Sequence, residues 1–299
     1  MIDRACISLG ERCNLKCSYC HFKSRLSGHP QEFSAKDLIT IIDNISSYCT
    51  SNHIQNFKIG IVGSGEPLLE YNKIKELINH IQQKPKSPLT FYTITNGTLI
   101  NEKIVSFFYH NRDLITLCFS LDGYEELHNI GRQNYQATYD GISQYEAIFA
   151  RKPPINCTVH KETILNAKLV RKFFADEDFN NVTFSRLEDS TQSNLTISNS
   201  EYSKFIEECE GFPFSVRQLK PENSKKYDCT MYGKLCGVGR SNIFITKLGI
   251  YPCGRFYGNS RYNYGPYNAD LHKIDKELLK MRKLTAGECY YNKYVRSHS

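Results

Sequence analysis

Six short apolar or β-branched runs, each followed by residues at helical spacing, set the strongest limit on how this chain can fold. The runs occupy residues 5–9, 57–62, 89–95, 114–121, 155–159 and 181–186. Runs of this kind suit strands buried on both faces. Between them, Leu38, Ile41, Ile42 and Ile45 keep helical spacing behind Ser34, an N-cap residue with Asp37 three positions on. Ile74, Leu77, Ile78 and Ile81 repeat the pattern, as do Leu169, Val170, Phe173 and Phe174. Six strand-then-helix units in series predict an α/β fold of parallel strands with right-handed crossovers, closing as a partial barrel.

In such folds the carboxyl ends of the strands share one face, where ligands bind. The unusual residues fall there. Cys13 follows the first run, Gly63-Ser64-Gly65-Glu66 the second and Asn96-Gly97 the third. Ser120 and Asp122 end the fourth, His160 follows the fifth and Arg186 closes the sixth. Six loops are therefore expected to converge on one site.

The alternation stops near residue 211. Residues 1–215 hold 22 Lys and Arg against 25 Asp and Glu, a net of −3; residues 216–299 hold 16 against 6, a net of +10. This shift marks a boundary between an α/β domain, 1–215, and a smaller basic region, 216–299. A basic region favours anionic partners or offsets a negative cofactor. Residues 251–267, rich in Tyr, Gly, Asn and Pro, read as an ordered irregular loop, and 271–284 as one basic helix. No stretch approaches the ~18 apolar residues of a membrane span, and the start of the chain lacks the apolar core of a secretory signal. A cytoplasmic protein is expected.

Seven of the 12 cysteines form two groups. Cys6, Cys49, Cys118, Cys157 and Cys209 are scattered and read as small buried hydrophobes. In a reducing compartment, clustered cysteines point to metal or catalysis rather than disulfides. Cys13-x3-Cys17-x2-Cys20 packs three thiols into eight residues directly after a strand. Zinc completed by His21 or His29 is one reading; an iron–sulfur cluster with one open iron is the other.

This CxxxCxxC resembles the signature of the radical S-adenosylmethionine (radical SAM) superfamily. The resemblance implies a partial (β/α)6 barrel and a 4Fe–4S cluster on Cys13, Cys17 and Cys20 whose open iron is chelated by SAM. It also implies reductive cleavage of SAM to a 5′-deoxyadenosyl radical, with flavodoxin or ferredoxin as an external electron donor. Tyr19 matches the aromatic residue before the third cysteine, near the adenine. Gly63-Ser64-Gly65-Glu66-Pro67 looks like the family's GGE segment, with Ser64 replacing a glycine, and would bind the SAM amino group. Thr95-Asn96-Gly97-Thr98 and Phe119-Ser120-Leu121-Asp122-Gly123, with His128 and Arg132 downstream, resemble the strand-end motifs of peptide-modifying members. Ser120 would contact the SAM ribose or carboxylate, with Asn96 and Arg132 nearby.

The second group is Cys229-x6-Cys236-x16-Cys253-x35-Cys289. Residues 236–253 alternate like a hairpin with Gly249 at its turn, and resemble the start of a SPASM/Twitch extension. The family's paired CxxC is missing, so Twitch fits better, and one auxiliary 4Fe–4S cluster on these four cysteines is implied; zinc is the alternative. Cys289 is assigned by elimination.

The favoured function is hydrogen abstraction from a ribosomally made peptide, leading to a crosslink, an epimerisation or an oxidation. The basic, Tyr-rich 251–267 region could hold an acidic leader, or a separate recognition protein could deliver the peptide. In sulfatase maturases a carboxylate follows the cysteine matching Cys253; here Gly254 and Arg255 follow, which weakens that reading. The alternatives are a small-molecule dehydrogenase and a metal-stapled module binding nucleic acid through Arg255, Tyr257, Arg261, Tyr262, Tyr264 and Tyr267. The last is disfavoured because it leaves the strand-end motifs without a purpose. His128, His160, Glu162 and Tyr251 are candidate bases, each better read as structural.

Overall fold

The computed structural model describes residues 1–20, 22, 31–84, 87–187, 193–223, 227–228, 235–280 and 289–291. The six expected strands all form: β1 (Arg4–Ile7), β2 (Phe57–Ile61), β3 (Leu89–Thr95), β4 (Ile115–Ser120), β5 (Ile155–Val159) and β6 (Asn181–Arg186). They lie side by side in sequence order and pair in parallel throughout. The short β7 (Ser215–Val216) extends this run beside β6.

Helices α1 (Ala35–Ser51), α2 (Tyr71–Gln82), α3 (Glu102–His110), α4 (Glu125–Gly131), α5 (Tyr135–Phe149), α6 (Lys161–Leu165) and α7 (Ala167–Asp176) make the crossovers, and α8 (Asn199–Glu207) leads to β7. The capping box at Ser34 is present: its hydroxyl accepts from the Asp37 N–H at 3.2 Å, and the Asp37 carboxylate accepts from the Ser34 N–H at 2.9 Å.

The strands were expected to be buried on both faces, and only one face is. Ile7, Ile59, Ile61, Phe91, Leu117, Phe119, Cys157 and Phe184 join helix residues such as Leu38, Ile42 and Ile78 in one core. The opposite, inner face carries Arg4, Cys6, Lys58, Thr90, Tyr92, Thr116 and Cys118, all partly or fully exposed. Cys6 and Cys118 are therefore not the buried hydrophobes their composition suggests, whereas Cys49, Cys157 and Cys209 are. A partial barrel has a lumen, and alternation places every second strand residue in it.

After β7 the chain forms a small separate pair, β8 (Tyr227–Asp228) and β9 (Leu235–Cys236). The hairpin anticipated around Gly249 is β10 (Asn242–Thr246) and β11 (Gly249–Tyr251), antiparallel, with Thr246 opposite Gly249. Gly249 has φ +141°, and a Cβ there would lie 2.3 Å from the Asn263 side chain. The hairpin does not stand apart: β10 pairs in parallel with β1, giving a nine-stranded sheet in the order β11-β10-β1-β2-β3-β4-β5-β6-β7. Residues 251–267 are irregular but ordered, with 3-10 turns at Gly254–Phe256 and Ser260–Tyr262. Helix α9 spans Leu271–Leu279; residues 281–284 of the longer helix expected there lie outside the described residues. Among the described residues no helix is long and apolar enough to cross a membrane.

Candidate active site

The loop after β1 carries Cys13, Cys17 and Cys20, and neighbouring strand ends grip it. The Asn96 side-chain amide donates to Asn14 Oδ1 at 2.8 Å, and Asn14 donates to Thr98 Oγ1 at 2.7 Å. The Ser18 N–H donates to the Gly131 carbonyl at the end of α4. Glu66 N–H donates to the Arg12 carbonyl at 2.9 Å, and Arg12 donates to Glu70 at 2.6 Å. A Cβ on Gly65 would sit 2.4 Å from the Arg12 carbonyl oxygen, and one on Gly63 2.4 Å from the Ser8 side chain. These two glycines let the loop after β2 press against the cysteine loop itself. Ser64, the departure from an all-glycine segment, uses its side chain there: its hydroxyl lies 2.8 Å from Ser8 Oγ.

The deepest part of the site is charged. Asp122, at the end of β4, is fully buried. Its Oδ2 accepts from the Tyr19 phenol and from Arg132 Nε at 3.1 Å; its Oδ1 accepts from the Thr158 N–H at 2.8 Å. Arg132 also donates to Thr158 Oγ1 at 3.1 Å and lies over the Tyr19 ring at 5.4 Å. Burial would raise the Asp122 pKa, but the Arg132 charge and the Tyr19 hydrogen bond outweigh it and hold the carboxyl below its usual range. Burial pushes the Tyr19 phenol well up. Leu187 and Leu195, beyond β6, pack on Tyr19 beside Cys17.

Glu66 is buried, and its carboxylate accepts from Leu68 N–H at 3.0 Å, Thr95 Oγ1 at 2.7 Å and Asn96 N–H at 2.8 Å. Burial nevertheless keeps its pKa raised. Ser120 is buried in register with Asn156 of β5. His160 is fully buried with its ring 5.8 Å from that of Tyr19. Arg186 points toward the Tyr202 ring at 5.8 Å.

Three thiols are the donor chemistry of an iron–sulfur centre, although among the described residues no three Cys, His, Asp or Glu side chains converge closely enough to hold a metal ion. Burial raises the Cys13 pKa, and Glu66, Cys17 and Cys20 add to the effect, so the three thiols lie within electrostatic reach of one another. Cys13 accepts a hydrogen bond from the Leu15 backbone. In the second group Cys236 accepts from Tyr290 and Val238, and Cys253 from Arg255. Cys289 adds to the raised pKa of both Cys236 and Cys253, so it lies within electrostatic reach of them. Cys229 lies outside the described residues. Backbone hydrogen bonds to sulfur are a lever that iron–sulfur sites use. Among the described residues, no backbone N–H donates to Cys49, Cys118, Cys157 or Cys209, outside the two groups.

An aromatic cluster of Phe22, Phe244, Tyr251, Phe256 and Tyr257 packs against both Cys20 and Cys253. Tyr257 donates its phenol to Glu11, fixing the 251–267 segment to the cysteine loop. Tyr267 donates to Asp37 at 2.6 Å, and Tyr262 packs on Phe256. The aromatic residues weighed above as a nucleic-acid platform are thus used in packing. Their spacing could not reveal this, because the partners Glu11 and Asp37 lie more than 200 residues away in sequence.

Residues 7–149 match the Radical SAM superfamily. Residues 7–149 are a radical SAM domain. Two relatives extend the likeness over most of its length. A cysteine-type anaerobic sulfatase-maturating enzyme of Clostridium perfringens is 26% identical, covering 95% of this chain and 84% of the relative. An S-adenosylmethionine-dependent nucleotide dehydratase of Psychrobacter lutiphocae is 24% identical over 96% and 93%. Two solved structures share the fold. Native anSMEcpe with bound AdoMet gives a TM-score of 0.73 at 20% identity, covering 94% of this chain and 84% of that one. Streptococcus suis SuiB bound to its precursor peptide SuiA gives 0.69 at 17%, covering 98% and 72%. A radical SAM domain over residues 7–149 speaks for an enzyme and against the non-enzymatic module.

Sequence reasoning placed Asp122 at a strand end facing the site but missed Asn14 and Thr158 as parts of it. The Asp122-Gly123 pair reads as a turn, and only the register of β4 against β5 brings Thr158 to it.

Proposed function

We propose that this protein binds SAM on a 4Fe–4S cluster held by Cys13, Cys17 and Cys20 and abstracts hydrogen from a ribosomally made peptide. The observation that carries this reading is the interlocking of the loops after β1 to β5 around the three thiols, above a polar inner face. When bound and reduced, cluster and SAM supply a 5′-deoxyadenosyl radical. A neutral carbon radical needs no charged stabiliser, so the chain's own part is to position one C–H bond and exclude water. Tyr19, clamped by Asp122 and backed by Leu187 and Leu195, forms a rigid wall for the adenosine. Gly63, Ser64, Gly65 and Glu66 line the side facing the SAM amino group, and Asn96, Ser120 and Arg132 the far side. Cys229, Cys236, Cys253 and Cys289, in region 216–299, hold one auxiliary 4Fe–4S cluster. A flavodoxin or ferredoxin delivers the electron in the reducing cytoplasm, where thiols stay unpaired.

Two peptide-related likenesses support a peptide substrate: the sulfatase-maturating relative and the peptide-bound SuiB structure. Gly254 after Cys253 argues for a reaction other than sulfatase maturation. A small-molecule substrate is the second reading, favoured by the nucleotide dehydratase relative, which matches at nearly full length on both sides. Co-expression with short peptides encoded beside the gene, followed by mass spectrometry, tests the first reading. A mass change that requires Cys13, Cys17 and Cys20 supports it. Reductive SAM cleavage with every peptide unaltered rejects it in favour of the second.

A further inference from the structure

The two faces of the sheet divide the residues of β5 and β6. Ile155, Cys157 and Val159 of β5 and Val182 and Phe184 of β6 lie in the core. By alternation Asn156, Thr158, Thr183 and Ser185 face the lumen, and all four are uncharged. Thr158 is already engaged: its N–H donates to Asp122 and its hydroxyl accepts from Arg132. Asn156 stands two residues before it on the same face. At ~3.3 Å per residue it lies roughly 7 Å below the cluster of Tyr19, Asp122 and Arg132.

The Asn156 carboxamide is held in one orientation. Ser185, itself buried, donates its hydroxyl to Asn156 Oδ1 at 2.9 Å. That bond occupies the acceptor side and leaves the two Nδ2 hydrogens as donors. Among the described residues nothing bonds Asn156 Nδ2, and nothing bonds the hydroxyl of Thr183, its register partner on β6. Asn156 and Thr183 are both half-buried, so these groups meet the open lumen. On its other side Asn156 is in register with Ser120 of β4, proposed above to contact SAM. It is thus the first lumen side chain beyond the SAM residues, where a substrate carbon facing the adenosyl group would lie. Arg132 nearby is already paired with Asp122. An anionic group at this level would lose water without gaining a counter-charge, whereas an uncharged amide finds a donor for its C=O and an acceptor for its N–H.

From this placement we infer that Asn156 and Thr183 form a subsite in the barrel lumen for an uncharged amide group, O=C–N–H, of the substrate. Asn156 Nδ2 donates to the amide oxygen, and the Thr183 hydroxyl accepts from the amide nitrogen. A peptide bond beside the carbon that loses hydrogen has this chemistry, and so does the lactam edge of a pyrimidine base. The inference rests on the lumen being the chamber of the proposed radical reaction, and it names the group that a peptide or a nucleoside would present there.

Ligand-observed NMR titration of the anaerobically reconstituted full-length protein with N-acetylglycine N′-methylamide and with uridine tests the subsite. At least one probe should bind, and its affinity should fall about fivefold in Asn156→Ala and in Thr183→Val, each the loss of one neutral hydrogen bond. Asn156→Asp keeps the Ser185 bond but turns the donor into an acceptor, and should lose about tenfold or more. Lys172→Gln, on an exposed helix face, should change nothing. Affinity for SAM, read by equilibrium dialysis on the same proteins, should be unchanged in every variant. Tighter N-acetylglycine N′-methylamide identifies a peptide substrate; tighter uridine identifies a nucleoside. If neither probe binds, if binding survives the substitutions, or if SAM affinity falls as far as probe affinity, the subsite does not exist. Thr183 is half-buried and its valine variant keeps the side chain's shape, so it reports even if the Asn156 variants fold poorly. A wild-type protein that binds a probe but yields no 5′-deoxyadenosine would defeat the radical reading while leaving the subsite standing.

Discussion

The phenol of Tyr19 donates to the buried carboxylate of Asp122, which ties the loop bearing the three clustered cysteines to the end of β4. The same carboxylate holds Arg132 and the Thr158 N–H, so one side chain joins the ends of three elements.

Removing that carboxylate should destabilise the fold sharply. Asp122→Ala leaves Arg132, whose side chain is 13% exposed, without its counter-charge. The expected cost is about 3–5 kcal/mol in urea unfolding of the apoprotein. Asp122→Ala combined with Arg132→Met should recover part of it. A double variant no more stable than the single one contradicts this assignment.

Acid should weaken the fold before the buried Asp122 carboxylate protonates. Burial, reinforced by Arg132 and only partly opposed by Asp122, lowers the His128 pKa to about 4, and burial lowers that of His160 as well. An unfolded histidine titrates near ~6.5. Between these values the unfolded chain binds the proton first, so stability rises with pH and is lost as pH falls from ~6.5 toward 4. His128 alone accounts for on the order of 3 kcal/mol. Asp122, whose pKa is lowered, contributes stability above ~4 that goes only at still lower pH. Urea midpoints between pH 7 and 4 should show this slope, and His128→Gln should flatten it. An unchanged slope would remove His128 as the cause.

Gly65→Ala forces a methyl group against two backbone carbonyls, at 2.4 and 2.6 Å. Neither can swing aside like a side chain. The cysteine loop should shift, with a loss of about 1–3 kcal/mol and reduced iron bound after anaerobic reconstitution. Normal iron content and an unchanged melting temperature would show that the two loops do not need this contact.

The strands were legible because short apolar runs bounded by loop residues carry their own signal, and the helices because Leu38 to Ile45 or Ile74 to Ile81 repeat at helical spacing. The cysteine loop and the Gly-Ser-Gly-Glu segment were legible as motifs. What escaped was set by register. Cys6 and Cys118 look like Cys49 in composition, and only the alternation of a one-sided sheet shows that they face the lumen. The Asn156–Ser185 and Glu11–Tyr257 bonds join positions 29 and 246 residues apart. Nothing local in the sequence marks such pairs.

Cys289→Ala separates the two cysteine groups. If Cys289 completes the second one, the variant should lose about four irons per chain and keep those of the first cluster, whereas Cys49→Ala should keep both sets. Equal iron in Cys289→Ala and wild type would exclude Cys289 as a ligand.

The most direct test is reductive cleavage of SAM. Anaerobically reconstituted protein, given SAM and dithionite, should release 5′-deoxyadenosine, and a variant with Cys13, Cys17 and Cys20 all changed to Ala should release none. Wild-type protein with its iron and sulfide intact that yields no 5′-deoxyadenosine would contradict the account.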